Sequence, residues 1–197
     1  MGTRGLFGFR KNGVDKANYC QWDSYPKGLG HGFITLLKHI IGSENFDGLY
    51  DKIICIDPAN RPTTEQVKYC NEMGWINLSV SEQSVSDWYC VTRELQDPEK
   101  WESPFRMGKE IYIKNSKDFI YDSLFCEYAY IYDFDTKQLE FYVGYQLTPD
   151  EENRYGSEPN NGGYYPCKLA CVITAEALKA VDTIYLVDYL ENNEKSK

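Results

Sequence analysis

Histidine is nearly absent from this chain of 197 residues, which has two, His31 and His39, and methionine is scarce at three. Two imidazoles leave little for a structural zinc site. Cys167 and Cys171 are the one closely spaced thiol pair, with no second pair beside them, so no metal is expected. Long apolar runs are missing. No stretch approaches the ~20 apolar residues of a membrane span. Gly2–Phe9 lacks the charged start and long apolar centre of a secretory leader. Leu6 stands where a myristoylated terminus carries Ser or Thr. There is no phosphate loop, dinucleotide fingerprint or zinc-protease motif, and no cofactor is expected. Positive charge is also short. Lys and Arg number 21 against 30 Asp and Glu, a net charge of −9. Affinity for a phosphate backbone comes from Lys and Arg, so direct nucleic-acid binding is disfavoured. The same charge suits a basic partner. Seven cysteines, odd in number and scattered, argue against a disulfide framework and for buried, reduced thiols in a cytoplasmic protein.

Aromatic residues, at 15% with 17 Tyr, are what the chain has in excess. A 42% hydrophobic content at this length supports one domain over 1–197, with 192–197 as a polar tail. Residues 3–9 and 14–22 alternate around Asn12-Gly13 and predict a hairpin. Leu29, Phe33, Leu36, Leu37, Ile40 and Ile41 predict a helix ended by Gly42. A short strand lies between Asp51 and Pro58, and Thr63 and Gln66 have capping-box spacing ahead of a helix that ends near Gly74. A further helix is expected over 84–95, with Trp88, Val91 and Leu95 on one face, and Pro98 to Pro104 breaks the pattern. Phe125 to Tyr145 is the strongest β signal, a second hairpin about Asp135-Thr136-Lys137. Thr148 to Tyr165 reads as a loop that is mobile or ordered by a partner. A strand at 168–173 and a Thr174-capped helix presenting Leu178, Val181, Tyr185 and Tyr189 on one face complete the chain. The expected class is α+β, an antiparallel sheet of hairpins with helices on one or both faces. Many of the tyrosines are expected to face outward from the strands.

The corner Asp23-Ser24-Tyr25-Pro26 is the main candidate site. As architecture, Asp23 bonds the backbone of the turn and Pro26 fixes entry to the helix. As a site, Arg4, Tyr19, Asp23 and Tyr25 converge on a polar ligand. Cys20 or Cys126 would serve as nucleophile only with His31 or His39 beside it. Asp133-Phe134-Asp135-Thr136 is similar to the Asp-x-Asp-x-Thr of haloacid dehalogenase-type phosphatases, but the Thr comes one place early and the segment reads as a hairpin turn.

Met-Gly-Thr-Arg-Gly at 1–5, Gly8-Phe9-Arg10, Gly13, Tyr19 and Asp23-Ser-Tyr-Pro with Leu29-Gly30 resemble a family of proteins from bacteriophages, prophages and other microbial genomes. Cys126 to Asp133 and Leu139 to Tyr142 resemble that family's second signature. The resemblance covers about a quarter of the chain and leaves out 43–120. It implies no reaction, but a setting of accessory cargo that blocks host defence, CRISPR nucleases included. The N-terminal strand, hairpin and polar corner are also similar to N-terminal nucleophile hydrolases, with Thr3 as nucleophile facing Asp23. Removal of Met1 would expose Gly2 instead, leaving Thr3 without the α-amino base that such a hydroxyl needs.

The leading expectation is a non-catalytic protein that occludes a basic surface on a host defence factor. It would use the acidic residues Asp150, Glu151 and Glu152 together with a strand surface of Tyr128, Tyr130, Tyr132 and Tyr142. A hydrolase using Thr3 and Asp23, and a small-ligand or nucleotide-binding module around Arg4, Tyr19 and Tyr25, are the alternatives.

Overall fold

The computed structural model describes residues 2–160 and 162–194. Met1 of the N-terminal signature and residues 195–197 of the expected tail lie outside them. β1 (Gly5–Lys11) and β2 (Val14–Cys20) form the first hairpin. Asn12 at φ 52° and Gly13 at φ 75° supply the left-handed pair that a two-residue hairpin loop requires. One wide helical turn, Pro26–Gly30, runs into α1 (His31–Ile40), which buries Phe33, Ile34, Leu36, Leu37 and Ile40. α2 (Leu49–Lys52) leads into β3 (Ile53–Cys55). α3 (Thr64–Glu72) opens with the expected capping box. Gln66 N donates to the Thr63 hydroxyl at 3.2 Å, and Thr63 N donates to the Gln66 side chain at 2.9 Å.

The helix expected over 84–95 is broken. α4 (Trp88–Val91) is followed by a 3-10 turn, Arg93–Gln96. The Thr92 hydroxyl donates back to the Trp88 carbonyl at 2.8 Å, a local bond that competes with helix continuation. Pro98 starts a 3-10 turn, Pro98–Trp101, and Pro104 is the third residue of α5 (Glu102–Arg106), so neither ends a helix; in a first turn the missing N–H has no intrahelical bond to lose. β4 (Ile111–Ile113), which periodicity did not reveal, pairs in parallel with β3. β5 (Tyr128–Asp133) and β6 (Gln138–Val143) form the second hairpin, and β7 (Lys168–Thr174) adds antiparallel to β6. Thr174 caps α6 (Ala175–Ala180), and α7 (Thr183–Glu194) follows.

The protein is α+β, with a main sheet in the order β2-β1-β5-β6-β7. The sheet is mixed and not wholly antiparallel, because β1 and β5 pair in parallel. Both hairpins therefore turn at the same end. There the Asp135 carboxylate accepts from Asn12 N and Gly13 N at 3.1 and 3.2 Å. On one face Phe7, Phe9, Tyr130, Tyr132, Leu139 and Phe141 pack beneath α1, α6 and α7, in a core that continues through Trp75, Trp88 and the β3–β4 pair. Each such side chain contributes about 1.5–3 kcal/mol by burial. On the other face Leu6, Ala17, Ala129, Ile131 and Tyr142 lie beneath Ile120 and Tyr155.

This layering overturns the outward tyrosine surface. Tyr128, Tyr130, Tyr132 and Tyr142 are 9%, 0%, 1% and 2% exposed, and so cannot form a contact surface. Their tips find partners inside. The Tyr130 hydroxyl donates to the Ser24 carbonyl at 2.9 Å, and that of Tyr128 donates to the Glu194 carboxylate. The last helical segment is also rephased. Asp182 caps the N–H of Ile184 at 2.9 Å and separates α6 from α7. As a result Leu186, Val187 and Leu190 are buried, while Val181, Tyr185 and Tyr189 face out. Asn192, expected to open a polar tail, lies within α7. Among the described residues no helix is long and apolar enough to cross a membrane.

The cysteines are unpaired, with five buried, Cys171 half-buried and Cys55 exposed. Burial pushes the Cys70 thiol up to about 12. A thiol reagent on the native protein is expected to label Cys55 rapidly, with that phase lost in Cys55→Ser. Rapid labelling of Cys70, Cys90, Cys126 or Cys167 before unfolding would contradict this packing.

Candidate functional site

At the end of β2 the chain reverses through Asp23, whose φ of 53° is left-handed. The Asp23 carbonyl accepts from Leu29 N at 2.8 Å, and that of Tyr25 accepts from Gly28 N at 2.9 Å. Ser24 N donates to the Thr3 carbonyl at 3.2 Å, which ties the corner to the segment before β1. The main chain thus does the work expected of the Asp23 side chain, and among the described residues the carboxylate accepts no hydrogen bond. Asp23→Ala is therefore expected to cost about 1 kcal/mol through the left-handed backbone alone. Asp23→Gly should keep or raise the melting temperature. A loss of stability in the glycine variant would restore a bonding role to the carboxylate.

Between this corner, the start of α1 and residues 77–99 lies a cleft of about 410 Å³. Asp23, Glu94, Asp97 and Glu99 line it against one guanidinium, Arg93, and one imidazole, His31. Most of these groups already serve the fold. Glu94 accepts from the Asn77 amide at 2.8 Å, Asp97 caps Glu99 N at 3.0 Å, and Arg93 donates to the Tyr89 hydroxyl at 2.8 Å. Among the described residues no nucleophile–base pair forms here. The Cys20 thiol donates to the Trp22 carbonyl at 3.0 Å, and burial pushes its pKa up. Gly2 lies against the Trp22 indole so closely that a Cβ on it would fall 1.9 Å from the ring. Thr3 is tied by main chain to Ser24, the residue after Asp23, and among the described residues no side-chain bond joins Thr3 and Asp23.

The quartet expected to bind a ligand is divided. The Arg4 guanidinium stacks 4.5 Å over Phe125 and lies beside the Tyr19 hydroxyl, whose pKa burial raises and Arg4 lowers. Tyr19 donates to Gln21 at 2.7 Å, Asp23 lines the cleft, and Tyr25 is exposed. The strand period explains the split, since Tyr19 shares the face of Ala17 while the chain beyond Cys20 has left the sheet.

The densest polar cluster lies elsewhere, beneath the long loop. Strand register sets Arg10 opposite Asp15 on β2 and beside Asp133 on β5. The Arg10 guanidinium is 2.9 Å from Asp15 and 3.8 Å from Asp133. Arg154 descends from the loop to within 3.2 Å of Asp133 and pairs with Glu140. The Tyr155 hydroxyl donates to Asp15, and that of Tyr142 to Glu140, each at 3.0 Å. Asp15, Asp133 and Glu140 are 8%, 3% and 7% exposed. Burial keeps both phenols protonated, with Asp15 adding to the effect on Tyr155 and Tyr155 to that on Tyr142. Three carboxylates thus share two guanidinium groups and two phenol donors.

This cluster anchors the loop. The Asn153 amide also donates to the Cys167 carbonyl at 2.9 Å. Residues 153–155 of the loop are thus tied to the body of the protein by the chain's own residues. Directly before the anchor, Glu151 and Glu152 are exposed, and Asp150 accepts from Glu152 N at 3.1 Å and lies 3.9 Å from Lys168. Asp133 also accepts from Asp135 N at 2.8 Å, as the hairpin-turn reading required. Among the described residues no group of three or more His, Cys, Asp and Glu side chains is placed to hold a metal ion. Comparison with protein-family models, curated proteins and solved structures finds no match to the chain.

Proposed function

We propose that this is a binding protein that occludes a basic surface on a partner. In the setting implied by its N-terminal signature, that partner is a nucleic-acid-directed defence factor in the host cytoplasm, such as a CRISPR nuclease. The observation that supports this reading is the seating of the acidic loop. Asp150, Glu151 and Glu152 stand in a row directly before Asn153, Arg154 and Tyr155, each of which is bonded into the body of the protein. Carboxylates on a fixed base lose little freedom on binding, and a net charge of −9 steers a cationic partner toward them. A hydrolase at the corner is less well supported, since among the described residues no side-chain base is bonded to Thr3 and no imidazole to Cys20.

The test is cleavage of plasmid DNA by a panel of purified RNA-guided nucleases, with and without the protein, at rising salt. Inhibition by the unaltered chain should fade as salt screens the charges. Reversing Asp150, Glu151 and Glu152 to Lys should slow association by roughly tenfold or more, with the melting temperature lowered by no more than loss of the exposed Asp150 bond to Glu152 N accounts for. Inhibition that ignores both salt and the reversal would refute the reading. So would turnover of a small substrate that is lost in Thr3→Ala.

A further inference from the structure

The two edges of the main sheet are treated differently. At the β2 edge the outward backbone groups are covered. Ser116 N donates to the Ala17 carbonyl at 2.8 Å, Ala17 N donates to the Asn115 side chain at 3.0 Å, and the Asn115 amide donates to the Asp15 carbonyl at 3.1 Å. At the β7 edge nothing comparable exists. Among the described residues, the backbone groups of Leu169–Ile173 that point away from β6 have no hydrogen-bond partner. Such an edge is a template for another strand.

What flanks this edge defines the strand it would take. On the helix side the Tyr189 hydroxyl faces the Cys171 thiol. Tyr185 and Tyr189 form an exposed pair four residues apart on α7, 71% and 44% accessible. α7 carries Asp188, Glu191 and Glu194 and has neither Lys nor Arg. On the loop side a hollow of about 420 Å³ runs from Asp150 and Glu152 to Lys168 and Leu169. Arg154 in that hollow is already paired with Asp133 and Glu140, and the carboxylates on both sides, with the tyrosine rings on the helix side, suit guanidinium and ammonium groups. A second copy fits poorly, because pairing with itself would set one acidic α7 near another.

We infer that β7 is a docking edge that accepts an extended, Lys- and Arg-rich segment of the partner as a sixth strand. Alternate side chains of that segment would point toward Tyr185, Asp188 and Tyr189 on one face and toward Asp150 and Glu152 on the other. The inference rests on the basic-partner reading and assigns it a surface and a binding mode.

The probe is a short capped peptide of alternating Lys and Val, compared with the same peptide N-methylated at every second residue. Binding is followed by calorimetry, and amide hydrogen exchange is followed by mass spectrometry. The unmodified peptide should slow exchange across 168–174. The N-methylated form, denied the ladder bonds, should bind roughly 100-fold more weakly. Tyr185→Lys with Asp188→Lys, both at exposed positions, should weaken binding by about tenfold without altering the melting temperature. Equal binding of both peptides, with slowed exchange confined to 150–158, would overturn the edge while leaving the basic-partner reading intact. No binding of either peptide at low salt would overturn both. Slowed exchange at 168–174 that grows with protein concentration alone would give the edge to a second copy and also overturn the inference.

Discussion

Replacing Arg154 with methionine is expected to destabilise the protein by about 3 kcal/mol, as removal of one member of a buried ionic group does. Asp133 and Glu140 would keep their burial and lose their nearest guanidinium, and Arg10, 3.8 Å from Asp133, is already engaged by Asp15. Water can reach the Arg154 side chain, which is 27% exposed, and this keeps the cost below the upper end for a fully buried pair. The effect should be non-additive. Glu140→Gln in the Arg154→Met background should recover part of the loss, because it removes the stranded charge and keeps an oxygen to accept from the Tyr142 hydroxyl. Urea unfolding of the four proteins in this cycle measures the coupling. The Tyr155 anchor predicts a further sign of loop release, namely faster amide exchange over 150–158 in Arg154→Met at unchanged protection of β5. A variant as stable as the parent, with the loop still protected, would show that the cluster neither anchors the loop nor holds the sheet.

The cluster was hidden in the sequence for a reason that also explains the tyrosines. Alternation in β5 separates Tyr128, Tyr130 and Tyr132 from Ala129, Ile131 and Asp133, but both sets can be buried, and a period of two does not say which face receives helices. An outward tyrosine face was therefore a natural reading and the wrong one. Arg10 following Leu6 and Gly8, and Asp133 following Ala129 and Ile131, were the available signal, a charge ending an apolar strand face at the same end of two strands. Joining them required the parallel β1–β5 pairing, which no local pattern encodes. Segments governed by local chemistry were legible. The Asn12-Gly13 turn, the Thr63–Gln66 capping box and the Thr174 cap each rest on residues within four positions of one another. The 77–99 wall of the cleft was not legible, because its short helical turns take their phase from burial of Trp88, Leu95 and Trp101 and not from a sustained repeat. Asp23 was identified as a corner residue, but its contribution is a left-handed backbone and a carbonyl, which composition cannot distinguish from a side-chain cap.

Two glycines one helical turn apart at the cleft are expected to respond with opposite signs. Gly28→Ala should cost about 3 kcal/mol, combining one lost hydrogen bond with the strain of forcing atoms into an occupied space. A Cβ at residue 28 would lie 2.0 Å from the Asp23 carbonyl oxygen, which is the acceptor for Leu29 N. The obstacle is backbone, so no side chain can swing aside, and the turn itself must open. The φ at Gly28 lies outside the left-handed region, so the requirement is for space and not for glycine's freedom. At Gly32, inside α1, the nearest atoms to an added Cβ belong to Pro98 at 3.7 Å, ordinary contact distance. Gly32→Ala should stabilise by about 0.5–1 kcal/mol through helix propensity and a less flexible unfolded chain. Urea midpoints at constant slope measure both. Both residues line the cleft, so the pair also separates architecture from activity there. If Gly28→Ala matches the parent in stability, the corner is pliable and its Asp23–Leu29 bond does not organise the entry to α1. If the stabilised Gly32→Ala protein loses inhibition of a nuclease, the cleft takes part in binding and the acidic loop is not the whole contact surface.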